Sequence, residues 1–209
     1  MRIPLIPHRF AIEFLALLLL SASIAVLSVG AAHAQSSATY AVQEDSKLWV
    51  DGTSTRSDWT VHAANVQGSF GIDGNGADAK ISSGKISVDA AKIESGKSIM
   101  DRLMHDALKV KEHPTVTYVL TSAESAGTSS NDGSVALTTT GKLTLGGTSK
   151  DIEMDVTGTH SADGTVRFTG SHPLKMSDYG LEAPVAMFGA LRTGDDVTIH
   201  FDIVAVPAN

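Results

Sequence analysis

The sequence predicts an all-β fold, an up-and-down antiparallel β-barrel of about eight strands with one α-helix covering the barrel. Most of the chain after residue 37 alternates apolar and polar residues with period two, which is typical of half-buried strands. Clusters of Gly, Asn and Asp separate the alternating runs and favour tight turns. Only residues 97–114 show helical spacing, so one helix must pack against many strands.

Residues 1–34 have the character of an export signal. A basic start precedes an apolar stretch over residues 14–29, and the tripeptide ending at Ala34 fits the small-x-small cleavage rule. The stretch is short for a membrane span, which needs about 20 apolar residues. We therefore expect cleavage between Ala34 and Gln35, a periplasmic protein without a stable membrane anchor, and one barrel domain over residues 35–209.

Composition excludes several kinds of partner. The formal net charge of −7 argues against nucleic acid and against docking on anionic lipid headgroups, because both need clustered Lys and Arg. The chain has no cysteine, so disulfides, thiol catalysis and thiolate metal sites are excluded. We expect no cofactor and no metal site.

The alternating runs give the strands in order. They predict strands over residues 38–43, 46–55, 59–73, 80–82, 85–89, 115–123, 135–145, 151–159, 166–174 and 196–206. The turn signals between them fall at residues 71–78, 129–133, 146–147 and 163–164. Residues 176–194 contain Pro184 and lack alternation, which predicts a long irregular connection.

The predicted helix carries one apolar stripe. Its members recur at three- and four-residue spacing and are Ile99 or Met100, Leu103, Met104, Ala107, Leu108 and Val110. Ser98 is the predicted N-cap, Asp101 suits the first turn, and Lys109 and Lys111 suit the last carbonyls. Pro114 is the predicted stop. The stripe has two possible positions, the barrel mouth or the outer wall, and we favour the mouth.

Small residues on the inferred inward faces indicate a cavity rather than a filled interior. They are Gly52, Ser54, Gly68, Thr139, Gly141 and Gly170. An eight-stranded barrel is wide enough to hold one small ligand when bulky groups do not fill it. The inward faces and the helix stripe together supply the candidate ligand contacts Phe70, Met100, Leu103, Met104, Leu108, Tyr118, Leu143, Phe168 and Phe201. Methionines 154, 176 and 187 could add a soft lining.

Four segments carry a resemblance to a known family. They are Gly141–Lys150 (GKLTLGGTSK), His113–Tyr118 (HPTVTY), Ser177–Leu181 (SDYGL) and Asp196–Phe201 (DVTIHF). In this order they resemble the YceI family, lipocalin-like periplasmic proteins associated with binding polyisoprenoids, and the resemblance spans roughly residues 40–206. The helix departs from the Asp- and Phe-rich family pattern, and residues 50–59 indicate a divergent branch.

The resemblance implies a lipocalin-like, non-enzymatic binding protein. Its expected ligand is a long apolar lipid such as a polyisoprenoid, an isoprenoid quinone or a fatty-acid-like chain, which it would sequester or carry. Burial of each methylene contributes about 0.8 kcal/mol, so such a chain needs an apolar tunnel more than polar anchors. A homodimer is compatible with the sequence.

Two other classes of function stay open at this point. A secreted hydrolase or isomerase could use His172 or His113 as a base, which would need a carboxylate that perturbs the pKa of the histidine. A structural β-domain would have a filled interior. The segment before the helix, Ser95–Ser98, lacks the first glycine of a phosphate-binding loop, and the histidines lack metal-binding spacing.

Overall fold

A computed structural model of the chain describes residues 37–74, 79–126 and 134–208. The signal region, the turn predicted at 129–133 and residues 75–78 of the turn predicted at 71–78 lie outside the described residues. The strands are β1 Ser37–Val42, β2 Lys47–Ser54, β3 Trp59–Ala63, β4 Gln67–Asp73, β5 Lys80–Asp89, β6 Ile93–Glu94, β7 Thr115–Ser125, β8 Ser134–Leu145, β9 Thr148–His160, β10 Val166–Lys175, β11 Val185–Ala186 and β12 Leu191–Pro207.

These strands close into a barrel, as the alternation predicts. Each of the pairs β1/β2, β3/β4 and β5/β6 forms one interrupted strand, since β1 pairs with β4 while β2 pairs with β3, and β3 pairs with β6. Five long strands, β7, β8, β9, β10 and β12, complete an antiparallel meander of eight. β12 then pairs with β1 through Tyr40 and Pro207 and with β2 through Val50 and Ile199, which closes the ring.

The meander gives the barrel two different ends. The chain segments at one end are residues 55–58, the helix, the turn at 146–147 and residues 176–190, and we call this the helix end. The strands β1 and β12 have their outer ends, Ser37 and Pro207, at the other end, which we call the terminus end. Buried Ile72, Val166 and Ala205 pack together near the terminus end and close the barrel there.

The helix α1 covers Ser98–Ala107 and is shorter than predicted. Ser98 is its first residue and makes no cap; instead Asp101 Oδ1 accepts bonds from the Ser95 N–H and hydroxyl, both at 2.6 Å. The helix ends because Lys109 adopts a left-handed conformation with φ 55°. Val110 then donates to the His105 carbonyl in a Schellman motif, before Pro114 has any effect. Val110 therefore lies outside the helical stripe.

The segment predicted as irregular from 176 to 194 contains regular structure. Residues Met176–Tyr179 form a short 3-10 helix, and β11 pairs with the beginning of β12, which starts at Leu191. The hairpin tip between them holds Met187 at φ 53° and Phe188 at φ 54°. The sequence gives no sign of this turn, because such conformations are ordinarily those of Gly or Asn.

One pair of neighbouring strands separates inside the closed sheet. β9 and β10 pair only from Val156 to His160 and from Val166 to Gly170. Beyond these residues, 148–155 and 171–175 continue as strands bonded to β8 and β12 but not to each other. We call this gap the seam. Pro173 lies in it and has no N–H to donate, which is consistent with the lost pairing.

Candidate ligand-binding cavity

The barrel encloses a cavity of about 1150 Å³ that opens at the helix end. Its walls come from nearly all barrel strands, from α1 and from residues 181–191. Deep in the barrel the rings of Phe70 and Phe168 meet with centroids 5.0 Å apart. Ile72, Val166 and Ala205 are buried on the far side of this ring pair and do not line the cavity. The interior is therefore open, whereas the alternative of a structural β-domain needs a filled one.

The helix stripe faces this cavity. Met100, Leu103, Met104, Ala107 and Leu108 all line it, yet no residue of the helix is fully buried. Met100, Met104 and Leu108 also pack against the buried core of the barrel, so these side chains contact the core on one side and border the cavity on the other. The structure thus places the stripe over the barrel mouth, as predicted, with its N-terminal turn nearest the opening.

All nine predicted contact residues line the cavity. They are Phe70, Met100, Leu103, Met104, Leu108, Tyr118, Leu143, Phe168 and Phe201. Met154, Met176 and Met187 line it as well. Their contact with a ligand stays a prediction. Alternation places the five strand residues among the nine, because a closed barrel has one inner face and a residue assigned inward borders the interior.

The inward glycines act differently from the prediction. Instead of leaving empty space, they allow aromatic rings to lie flat against the wall. A methyl group at Gly52 would overlap the Trp59 indole, one at Gly141 would overlap the Tyr118 ring, and one at Gly170 would lie 2.6 Å from Phe201. Cross-strand pairing places Gly52 beside Trp59 and Gly170 beside Phe201. The rings thus cover the glycines and leave the centre of the barrel open.

Trp59 is one of the cavity-lining residues that were not among the predicted ligand contacts. Its indole N–H donates to the Thr53 carbonyl at 2.9 Å, which holds the ring over Gly52 and on the cavity wall. The prediction omitted Trp59 because it is the first residue of β3, and the alternation of apolar and polar residues is weak at strand ends. The W-x-V pattern of Trp59 and Val61 could have revealed it, since buried Val61 shares its face.

Polar groups are concentrated at the mouth of the cavity. Ser54, Arg56, Ser57, Asp58, Lys97, Ser98 and Thr193 line its opening. Deeper in, the Thr139 hydroxyl donates to the Met154 carbonyl at 3.2 Å. The Tyr118 hydroxyl is buried against Gly141 without a well-formed hydrogen bond, and burial raises its pKa while nearby Thr139 acts in the opposite direction. The cavity is thus apolar inside and polar at its entrance.

His172 is the one histidine of the described residues on the cavity wall. It also borders an outer groove along the seam, together with Glu153 and Asp155. Burial lowers the pKa of His172, and a contact with the Glu153 backbone acts in the opposite direction. No carboxylate among the described residues contributes to this pKa. His113 packs on Gly147 and does not line the cavity. Among the residues that the structure describes, neither histidine forms an ion pair with a carboxylate.

Acidification is expected to destabilise the protein partly through His172. Because the folded pKa is lowered, the unfolded chain binds the proton more readily. The contribution of neutral His172 to the free energy of unfolding is therefore complete above the ordinary histidine pKa of about 6.5. It declines as the pH falls through that value towards the lower pKa of the folded protein. Melting curves from about pH 8 to about pH 5 should therefore show a smaller loss for His172→Gln. Substitution of exposed His62 by Gln is the control, and equal slopes for all three proteins would contradict the prediction.

The described residues contain no group of three or more His, Cys, Asp or Glu arranged to hold a metal ion. Within the same part of the chain, no helix has the length and apolar character of a membrane span.

A closed eight-stranded antiparallel barrel with one helix over an apolar cavity defines a lipocalin-like barrel. A family model described as a YceI-like domain matches residues 33–205, and the chain belongs to this family. No curated protein matches the chain.

Solved structures share the fold at low sequence identity. BcnA from Burkholderia cenocepacia is 21% identical with a TM-score of 0.62, over 76% of this chain and 95% of its own. A polyisoprenoid binding domain from Saccharophagus degradans is 16% identical with a TM-score of 0.62, over 83% and 100%. The YCEI protein of Campylobacter jejuni is 20% identical with a TM-score of 0.56, over 71% and 84%. The predicted fold and family are confirmed.

Proposed function

We propose that this protein is an exported, non-enzymatic carrier that binds a long apolar lipid of the polyisoprenoid type in its barrel. The observation that carries the proposal is the cavity, whose deep wall is apolar and whose polar groups border the mouth. Such a gradient matches a lipid with a chain inside and a small polar head at the entrance. The structural similarity to a polyisoprenoid binding domain supports the same ligand class.

The cavity volume limits the length of the chain. At about 30 Å³ for each water-sized group, 1150 Å³ holds up to roughly 38 such groups. Each buried methylene contributes about 0.8 kcal/mol, so affinity should rise with chain length while the cavity fills. The rise should stop when further carbons extend past the mouth into water.

The proposal is tested by binding of a series of prenols of increasing length. We expect affinity to rise with each isoprene unit and to level off at or below about 38 carbons. Fatty acids and quinones of matched length separate the chain contribution from that of the head. Native mass spectrometry of protein purified without detergent would identify the cellular ligand. Affinity independent of chain length would contradict the proposal.

Export to the periplasm is part of the same proposal. The basic start, the apolar stretch and the small residues before Gln35 support it. N-terminal sequencing of protein from a periplasmic extract should begin at Gln35. Retention of Met1, or fractionation with the inner membrane, would count against it.

A further inference from the structure

Large exposed apolar side chains lie around the mouth of the cavity. Among the described residues, the exposed ones are Ile99, Val119, Val185, Met187 and Phe188. Four of them lie at the helix end: Ile99 is in the first turn of α1, Val185 is in β11, and Met187 and Phe188 form the hairpin tip. We call these four residues the apolar rim. Phe188 is fully exposed, and Ile99 and Met187 are 68% and 67% exposed. Exposed groups of this size concentrated in one place are typical of an interaction surface.

The hairpin tip leaves Met187 and Phe188 exposed to solvent in a backbone conformation that is costly for both. Met187, Phe188 and Gly189 have consecutive positive φ angles of 53°, 54° and 91°. Gly189 adopts such a conformation without strain, whereas Met and Phe do not. Residues kept in unfavourable conformations cluster at functional sites. Because Phe188 gains nothing from packing here, folding alone does not account for its place at the tip.

The charge around the mouth differs from that of the whole chain. Two cations, Arg56 and Lys97, and one acid, Asp58, line the opening, and Arg192 follows the hairpin tip. The other acids of the helix end, Asp101, Asp106, Asp178 and Glu182, do not line the opening. None of the three cations forms a salt bridge with a described residue. The formal net charge of the chain is −7, whereas the two cations and one acid that line the opening give it a formal charge of +1. Anionic lipid headgroups are therefore repelled less at the opening than the charge of the whole chain implies.

We propose that the apolar rim inserts into the surface of a lipid bilayer, with the mouth of the cavity against the membrane. Phe188 and its neighbours would enter the interface, and Arg56, Lys97 and Arg192 would meet headgroup phosphates. The inference rests on the proposed function, from which it takes the ligand, a long apolar lipid. The transfer of a long lipid chain from a bilayer into water is unfavourable. The chain therefore needs a path from the bilayer into the cavity that avoids water. The rim borders that path, which favours a bilayer over a second copy of the chain.

The decisive variant is Phe188→Gly. Phe188 does not line the cavity, and Gly suits its φ angle, so the variant should be at least as stable as the wild type while losing the apolar tip. Flotation with phosphatidylcholine vesicles containing phosphatidylglycerol measures docking. We expect at least tenfold weaker vesicle binding, with unchanged affinity for a prenol in solution. Val119→Ser, which removes the exposed apolar residue on the barrel wall, should bind vesicles like the wild type.

A second measurement follows transfer of a fluorescent prenol from vesicles to the protein. Phe188→Gly should slow this transfer at least tenfold, and added salt should weaken docking on the anionic vesicles. Equal vesicle binding by wild type and Phe188→Gly would overturn the inference. So would sedimentation showing a wild-type dimer that the variant abolishes, because the rim would then join two copies. If no prenol binds in solution but docking depends on Phe188, the proposed cargo is wrong and the docking surface stands.

Discussion

Replacement of Met100 and Met104 together by Asp is expected to weaken prenol binding by at least about 100-fold while the barrel remains folded. Both side chains line the cavity on the inner face of α1, and neither is fully buried. The free protein can hydrate the new carboxylates, but a bound chain would exclude that water and leave the charges against methylenes. Both side chains also pack against the core, so some loss of stability is expected, but the larger cost falls on the complex.

Arg102→Asp is the matched control for this experiment. Arg102 lies on the same helix, is exposed, and changes the net charge by the same amount as the two Met substitutions. Titration with a fluorescent prenol measures affinity, and thermal melting measures stability. Unchanged affinity with a sharply lowered melting temperature would show that the helix only packs on the core.

The second large effect is expected at Gly141. An added methyl group in Gly141→Ala would overlap the ring and hydroxyl of Tyr118, and all three of its nearest atoms belong to that side chain. Overpacking of this kind typically costs about 1–3 kcal/mol. In a protein of this size each kcal/mol lowers the melting temperature by about 2–4 °C. If the ring moves inward instead, it occupies the cavity, so prenol affinity falls as well.

Two further variants separate this effect from a general intolerance of glycine substitution. Gly158→Ala adds the same methyl group, but its closest neighbours, Leu137 and Phe168, lie 3.4 Å away, so we expect little change. Tyr118→Leu in the Gly141→Ala background removes the overlapping ring and should restore part of the stability. A double-mutant cycle would then give a coupling between positions 118 and 141. Additive effects would refute the assigned contact.

Period-two alternation was sufficient to predict the barrel and the cavity wall. A strand in a closed barrel has one face inward, so assigning Tyr118 and Phe168 to inner faces also placed them on the cavity. The position of the helix stripe could be predicted for a similar reason. Met100 and Leu103 of α1 can be shielded from water at few places on a closed barrel, and the mouth is one of these places.

The remaining features depend on contacts between distant segments, which local patterns do not contain. The left-handed conformation of Lys109, rather than Pro114, ends the helix. The Lys109 side chain also donates a hydrogen bond to the Gly180 carbonyl at 3.1 Å. The aromatic rings over Gly52 and Gly141 depend on the register between strands. The hairpin tip has Met187 and Phe188 where a turn signal would need Gly or Asn.

The seam between β9 and β10 is expected to let the wall of this barrel widen. A fully bonded barrel has a circumference fixed by its ladder, because widening it breaks main-chain hydrogen bonds. Residues 148–155 and 171–175 share no such bonds, so the two strands can move apart or together along this stretch without that loss. We therefore expect the cavity of about 1150 Å³ to enlarge along this line when the proposed ligand is a thick one.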